Sequence, residues 1–169
     1  MSLAYADQPV FLVPYDPGWP ALFERERPAV EAALRPWLDG GVHHVGSTSV
    51  PGLEAKPTVD VMAGVRDLEE ARAAIGPLAA IGYVNAPHRP HMHWFCKPSP
   101  AVRTFHLVLV ERTHPEWRAR LRFRDRLRAD PELAARYVEL KRGLAERHRG
   151  DREAYTDAKA EFVRLAVSS

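Results

Sequence analysis

The chain has 169 residues, of which 46% are hydrophobic and 27% are charged, and its formal net charge at pH 7 is +2. This length fits one domain that can build a core without cross-links. One cysteine excludes an intramolecular disulfide, and no run of about 18 apolar residues predicts a membrane span. The start of the chain has no basic and apolar leader pattern. We therefore expect one cytoplasmic domain over residues 1–169 with no membrane partner.

Positive charge is concentrated in the last third of the chain. Residues 1–110 carry a net charge of −2, whereas residues 111–169 carry +4. A basic surface suits a phosphate-bearing partner, but blocks of charge are more often solvated helix faces. Charge alone leaves both interpretations open.

The first half of the chain alternates between short apolar runs and amphipathic segments. Residues 9–13 predict an edge strand, and the Asp-Pro pair at 16–17 predicts a helix start. Apolar residues at helical spacing from Trp19 predict a helix that bends near Pro28 and ends at the Asp-Gly-Gly of 39–41. Strands are predicted over 42–45 and 58–65, followed by a helix over 67–80.

The second half predicts a hairpin and then helices. A short strand at 83–85 precedes two segments, 91–97 and 102–110, that alternate with a period of two around a Pro-Ser-Pro-Ala turn. Helices are predicted over 115–129, 130–149 and 151–167, with Asp130 and Asp151 as N-caps. This order indicates an α/β or α+β domain, in which helices flank a small mixed sheet and the C-terminal part is helical.

The segment between the strands at 42–45 and 58–65 carries the polar residues that suggest a binding site. Gly46 permits a backbone conformation that a side chain would block, and Ser47, Thr48 and Ser49 add hydroxyls and backbone N–H groups. The N–H groups of such a turn can bind a phosphate group. Asp60 lies inside the next apolar strand, where a carboxylate is costly unless it is paired or bound to a metal.

A purely structural role for this segment stays open. Proline and glycine could set the turns of an Ω-loop while Ser and Thr cap backbone groups. Asp60 would then accept hydrogen bonds from the N–H groups of Ser47 and Thr48. This alternative predicts a stiff loop and a loss of stability in Asp60→Ala.

A Gly-Ser turn after a strand, with an aspartate on the neighbouring strand, resembles the nucleotidyltransferase fold. In that fold the turn holds the nucleotide phosphates and strand carboxylates hold Mg²⁺. More specifically, five blocks together resemble the GrpB family, a largely uncharacterised branch of that superfamily. The blocks are PYDPGWPALFERE (14–26), HHVGSTSVPGLEAKPTVDVMAGV (43–65), FRDRLR (123–128), YVELK (137–141) and YTDAKAEFV (155–163).

The resemblance implies a nucleotidyltransferase-like fold that binds a nucleotide or another phosphate-bearing ligand at the Gly-Ser turn. It also implies Mg²⁺ at Asp60, as the catalytic and metal-binding residue, and transfer of a nucleotidyl group to a small acceptor. The residues implied to bind substrate are His44, Gly46, Ser47, Thr48, Ser49, Lys56, His106, Arg124, Lys141 and Lys159.

The chain departs from the superfamily pattern where a second metal-binding carboxylate is usual. That position is Met62, which cannot bind Mg²⁺, and the later strand has His106 and Val108 where a third carboxylate would lie. The alternative function is a catalytically inactive module that binds a ligand or assists a partner protein. Similar domains are attached to dephospho-CoA kinases, which supports that alternative by analogy.

Other clusters are weighed against simpler explanations. His88, His91 and His93 lack zinc-like spacing, which favours a polar loop. Alternate arginines from 118 to 128 lie on two sides of a helix, so they cannot all meet one ligand; we expect Arg124 to bind an anion or to pair with a carboxylate. No open sheet face carries interleaved aromatics, so specific nucleic-acid binding is not expected.

Two Tyr–Lys pairs share a helical spacing of four. Tyr137 precedes Lys141, and Tyr155 precedes Lys159, so each pair puts a ring and an amine on one helix face. Each lysine either extends along its tyrosine toward solvent or contacts a phosphate.

Overall fold

A computed structural model describes residues 9–169, and its centre is a five-stranded mixed sheet of order β1-β2-β5-β4-β3. The strands β2 and β5 run parallel, and the other neighbouring pairs are antiparallel. The strands are β1 Leu38–Val45, β2 Val59–Val65, β3 Val84–Asn85, β4 His93–Pro98 and β5 Arg103–Glu111. The predicted small mixed sheet is confirmed.

Six α-helices and two short 3₁₀ turns complete the described chain. The helices are α1 Trp19–Leu34, α2 Ile75–Ala80, α3 Pro115–Ala129, α4 Pro131–Arg147, α5 Arg152–Asp157 and α6 Ala160–Ser168, and the 3₁₀ turns are Ser47–Ser49 and Glu70–Ala74. None of the helices between residues 9 and 169 combines the length and apolar character that a membrane span requires.

The main core lies between one face of the sheet and helices α1 and α2. Because successive strand residues point to opposite faces, alternate residues of β2 and β5 enter this core. They pack against side chains of α1, which include Val30 and Leu34, and against Leu78 of α2. The strand residues are Val59, Val61, Ala63 and Val65 of β2 and Phe105, Leu107 and Leu109 of β5.

The opposite face of the sheet carries a smaller apolar cluster and the candidate site. Val45, Met62 and Val110 pack against Trp117 and Leu121 of α3. Asp60 precedes Met62 by two residues, so both side chains leave β2 on this face. The methionine at the expected position of a second carboxylate is therefore a core residue with no exposed surface.

Several predicted elements are confirmed. The antiparallel pairing of β4 with β5 matches the predicted hairpin. Asp130 and Asp151 cap α4 and α5, because their carboxylates accept hydrogen bonds from the backbone N–H groups of Leu133 and Ala154, each at 2.9 Å.

Other boundaries were predicted wrongly. Residues 9–13 form no strand beyond one bridge between Val13 and Ala55. Helix α1 starts at Trp19 and ends at Leu34, and the Asp-Gly-Gly of 39–41 lies inside β1. The segment 67–80 becomes α-helical only from Ile75, because Pro77 has no N–H to donate to the preceding turn.

The last predicted helix is two helices, α5 and α6. The chain turns at Ala158 and Lys159, where the N–H of Lys159 donates to the Thr156 carbonyl in a 3₁₀-type bond of 3.2 Å. The expected absence of a leader concerns the first residues of the chain, and residues 1–8 lie outside the described part.

Candidate functional site

Asp60 and His106 form a hydrogen-bonded pair at the centre of the sheet. The parallel register of β2 and β5 places the two residues directly opposite each other. His106 Nδ1 donates to Asp60 Oδ1 over 3.1 Å, and the acceptor on that side assigns the proton to Nδ1. Asp60 keeps 35% of its side-chain surface accessible, whereas His106 keeps 13%. Asp60 is therefore partly accessible to solvent, whereas His106 is more buried and hydrogen-bonds the carboxylate.

The surroundings keep Asp60 ionised and His106 neutral. Burial acts to raise the pKa of Asp60, but the His106 hydrogen bond and the charges of Lys56 and Arg120 outweigh it, so the pKa lies below its usual value. Burial lowers the pKa of His106, and Asp60 only partly offsets that effect. The buried His106 Nε2 has no hydrogen-bond partner within residues 9–169.

Gly46 brings the Gly-Ser turn directly against this carboxylate. Its φ of +72° is unfavourable for a residue with a side chain, and a Cβ atom there would lie 2.3 Å from Asp60 Oδ2. Glycine is therefore required on two grounds. The 3₁₀ turn Ser47–Ser49 follows directly, so this turn begins next to Asp60.

Asp60 does not serve as an acceptor for the loop backbone. In the described chain its hydrogen-bond partner is His106, and the N–H groups of Ser47 and Thr48 do not bond to its carboxylate. With a third of its side chain accessible, Asp60 also differs from a fully enclosed structural carboxylate. These contacts differ from those that the loop-holding alternative predicts.

Three lysines from three separate segments lie within electrostatic range of Asp60, and we call Lys56, Lys141 and Lys159 the lysine cluster. Each affects the charge of the others: the positive charges of Lys56 and Lys141 lower the pKa of Lys159, and Asp60 acts in the opposite direction. They come from the loop before β2, from α4 and from the turn between α5 and α6.

Lys141 is the buried member of the lysine cluster. Only 1% of the residue is exposed, and its Nζ donates to Ser47 Oγ at 3.0 Å and to the Glu54 carbonyl. Its Nζ also lies 4.9 Å from the centroid of the Tyr137 ring. Burial lowers the pKa of Lys141 to about 7. This lysine does not extend toward solvent, and near neutral pH a large fraction of it is a free amine.

Lys159 and Lys56 share one aromatic ring. The two Nζ atoms lie 4.3 Å and 5.0 Å from the centroid of Tyr155. Burial, followed by the charges of Lys56 and Lys141, lowers the pKa of Lys159 to about 7. The break between α5 and α6 puts Lys159 at the start of α6, where its side chain reaches this ring.

His44 and Thr48 lie away from the lysine cluster. The His44 ring stacks on Phe23 of α1 with centroids 5.1 Å apart, which places it on the sheet face opposite Asp60. Its Nε2 is 2.9 Å from Thr48 Oγ1, and both residues are buried. Burial lowers the pKa of His44 to about 4, so it stays neutral and ties the turn to the core.

Ser49 and Arg124 also act within the protein. Ser49 Oγ donates to the Gly46 carbonyl at 2.5 Å. Arg124 donates to the His44 carbonyl at 3.1 Å and pairs with Asp125, which is the carboxylate-pairing alternative expected for it. Of the predicted site residues, the structure thus gathers Gly46, Ser47, Lys56, Asp60, His106, Lys141 and Lys159 around one region.

Arg128 is a contributor that the sequence reasoning missed. Its Nε and Nη2 both donate to the Ser49 carbonyl, at 2.9 Å and 2.7 Å, and so clamp the end of the 3₁₀ turn. The only sequence signal was its place at the end of the FRDRLR block. Its effect on a ligand is indirect, because it fixes the loop.

The donor atoms here do not fit a protein-bound Mg²⁺. Mg²⁺ prefers oxygen ligands in octahedral geometry. The described residues offer it one carboxylate, already bonded to His106 and surrounded by amines, and no group of three His, Cys, Asp or Glu side chains able to hold a metal occurs within residues 9–169. We therefore derive no step through the expected Mg²⁺.

A hollow of about 210 Å³ adjoins the lysine cluster at Lys56. Its lining also includes Thr58, Arg103, Thr104 and Arg152. The volume is below the roughly 300–1,000 Å³ of typical ligand pockets.

Comparison with known proteins gives the family and a close fold match. The crystal structure of conserved protein GrpB from Enterococcus faecalis superposes with a TM-score of 0.80 at 29% identity, covering 94% of this chain and 98% of that chain. A UPF0157 protein of Pseudomonas aeruginosa is 37% identical over 93% of the chain. A dephospho-CoA kinase of Mycolicibacterium paratuberculosis is 31% identical over 95% of it.

The matched regions are only part of some relatives. The chain covers 66% of the Pseudomonas protein and 46% of the kinase. The GrpB protein family model matches residues 9–168, which is nearly the whole sequence. On this match, the chain belongs to the GrpB family.

Proposed function

We propose that the chain binds a phosphate-bearing small molecule, such as a nucleotide, at the lysine cluster beside the Gly-Ser turn. The observation that supports this proposal is the convergence of Lys56, Lys141 and Lys159 on the single carboxylate of Asp60. Several converging amines favour a multiply charged anion such as a phosphate group. Such an anion would also raise the pKa of Lys159, which burial lowers.

The kinase relative is consistent with a binding module. A protein named dephospho-CoA kinase contains a region similar to this chain, which covers 46% of that protein's length. By analogy, the domain would hold a phosphate-bearing ligand or assist a partner without catalysing transfer itself. The complete burial of Met62 agrees with this proposal, since the position of the second metal carboxylate is part of the core.

Nucleotidyl transfer is the second candidate. It is favoured by the accessibility of Asp60, whose charged oxygens lie next to the lysine cluster and are held by His106. A transferase would release pyrophosphate from a nucleoside triphosphate, whereas a binding module would not.

Calorimetric titration with ATP, GTP, CTP, UTP and inorganic pyrophosphate at pH 7 tests binding. We expect a measurable affinity that Lys159→Ala weakens about tenfold or more, because a hydrogen bond to a charged group contributes about 1.5–3 kcal/mol. Arg164→Ala is the matched control, since it removes one positive charge from the same helix at a side chain that is 62% exposed. Equal effects of the two variants, or binding of none of these anions, would contradict the proposal.

A pyrophosphate-release assay with the same nucleotides separates the two candidates. Release that Asp60→Asn abolishes would support transfer. Binding without release would support the binding module.

A further inference from the structure

Ser47, Lys141 and Tyr137 form a contact network whose chemistry the proposed binding role does not use. Lys141 Nζ is 3.0 Å from Ser47 Oγ and 4.9 Å from the centroid of the Tyr137 ring. Lys141 and Tyr137 are 1% and 5% exposed, while Ser47 keeps part of its surface accessible. The hydroxyl of a partly accessible serine is thus hydrogen-bonded to a buried amine.

The backbone around Ser47 presents this hydroxyl at a sharp turn. Strand β1 ends at Val45, Gly46 takes its left-handed φ of +72°, and Ser47 opens a 3₁₀ turn.

We propose that Ser47 is a nucleophile and that Lys141 is its general base, in a Ser–Lys arrangement that serves acyl transfer. The Glu54 carbonyl orients the base, because an uncharged Lys141 keeps an N–H for that carbonyl and turns its lone pair toward Ser47. The lowered pKa of Lys141, caused by burial, supplies the free amine near neutral pH. The serine proton can then point to Lys141.

The step balances without another reactant. Lys141 takes the hydroxyl proton as Ser47 Oγ attacks the acyl carbon, and the bond between that carbon and its oxygen or sulfur leaving group breaks. The leaving group receives the proton from Lys141. Water then cleaves the acyl-serine by the same proton path in reverse.

The lysine cluster indicates the substrate class. An ester or thioester whose alcohol or thiol portion carries phosphate would place the phosphate near Lys56 and Lys159 and the acyl carbon at Ser47. This assignment of substrate class rests on the proposed anion site. The assignment of the nucleophile does not, so the two can fail separately.

An uncharged alkyl fluorophosphonate tests the nucleophile in the intact protein. Its phosphorus–fluorine bond breaks as Ser47 Oγ bonds to phosphorus, and the adduct is located by peptide mass spectrometry. We expect one adduct on Ser47, none in Ser47→Ala, and labelling about 100-fold slower in Lys141→Met. Arg136→Met is the matched control, since it removes a charge from an exposed position of the same helix, α4, and should label at the normal rate.

A pH profile separates a base from a structural lysine. Labelling should increase as pH rises through about 7, the range set for Lys141 by its burial and by the charges of Glu54, Lys56 and Asp60. This profile needs only the unaltered chain, so it remains decisive if Lys141→Met does not fold. Absence of an adduct on Ser47 at pH 8, or a rate independent of pH between 6 and 8, would overturn the proposal.

Inorganic pyrophosphate added to the same reaction tests the substrate class. Protection of Ser47 would support a phosphate-bearing ester or thioester. Labelling of Ser47 without protection would refute that substrate class while it supports the nucleophile.

Discussion

Gly46 lies so close to Asp60 that Gly46→Ala should destabilise the fold and displace the carboxylate. The backbone conformation of Gly46, with φ +72° and ψ −175°, is almost exclusive to glycine and costs other residues about 1–3 kcal/mol. A methyl group would also lie 2.3 Å from Asp60 Oδ2, and such overpacking costs about 1–3 kcal/mol. The free energy of unfolding should therefore fall by about 2–6 kcal/mol.

Urea unfolding of Gly46→Ala and Gly52→Ala measures the two contributions separately. Gly52 also has a positive φ, +80°, but a Cβ atom there would meet nothing within 4 Å. Gly52→Ala should therefore cost only the backbone contribution of roughly 1–2 kcal/mol. The slope of the unfolding free energy against urea should stay constant if both variants unfold in one step.

The close approach to Asp60 is the part of this reasoning that the comparison can refute. If Gly46→Ala loses no more stability than Gly52→Ala, the contact with Asp60 does not constrain the turn. A second check is Asp60→Ala combined with Gly46→Ala, which removes Oδ2 and should recover part of the steric loss.

Three further predictions follow from charge and packing. Burial lowers the pKa of Lys141 and Lys159 to about 7, so above pH 7 the unfolded chain binds more protons than the folded one. The free energy of unfolding, measured by urea titration, should therefore rise from pH 7 to pH 9. The double variant Lys141→Met, Lys159→Met should show a smaller rise. Arg128→Ala should lower the free energy of unfolding by about 1–3 kcal/mol and speed amide hydrogen exchange in the 3₁₀ turn. Arg126→Ala is the control, because the hydrogen bonds of Arg126 go to Ser169. Equal exchange rates in the two variants would contradict the role of Arg128 in holding the turn. Met62→Leu should lower the free energy of unfolding by less than about 1.5 kcal/mol. Met62→Asp should lower it by more than about 3 kcal/mol and add no catalysis, because it buries an unpaired charge. A stable Met62→Asp protein would show that this position does not belong to the core.

The sequence could predict the Gly-Ser turn and Asp60 because their signals are local. A glycine followed by hydroxyl residues after an apolar run indicates a turn, and a carboxylate within a strand is conspicuous. The hydrogen bond from His106 was beyond such reasoning. It depends on the register of two parallel strands 46 residues apart, and no local pattern fixes that register.

Long-range packing also explains the misjudged residues. His44 was grouped with the Gly-Ser turn because it is adjacent in sequence, yet strand alternation turns it to the face of α1. Arg128 looked like one of several solvated arginines, because only the folded chain brings the Ser49 carbonyl to it. The position of Lys159 depends on a helix break that periodicity alone did not reveal.

Both edges of the sheet are poorly suited to pairing with another chain. One edge strand, β3, has only two residues, and the other, β1, pairs irregularly between Leu38 and Val42, where Gly40 and Gly41 both have positive φ. A bulge of this kind bends an edge strand and interrupts the row of backbone groups that an incoming strand would need. The two edges of this sheet therefore offer another chain little opportunity to add a strand.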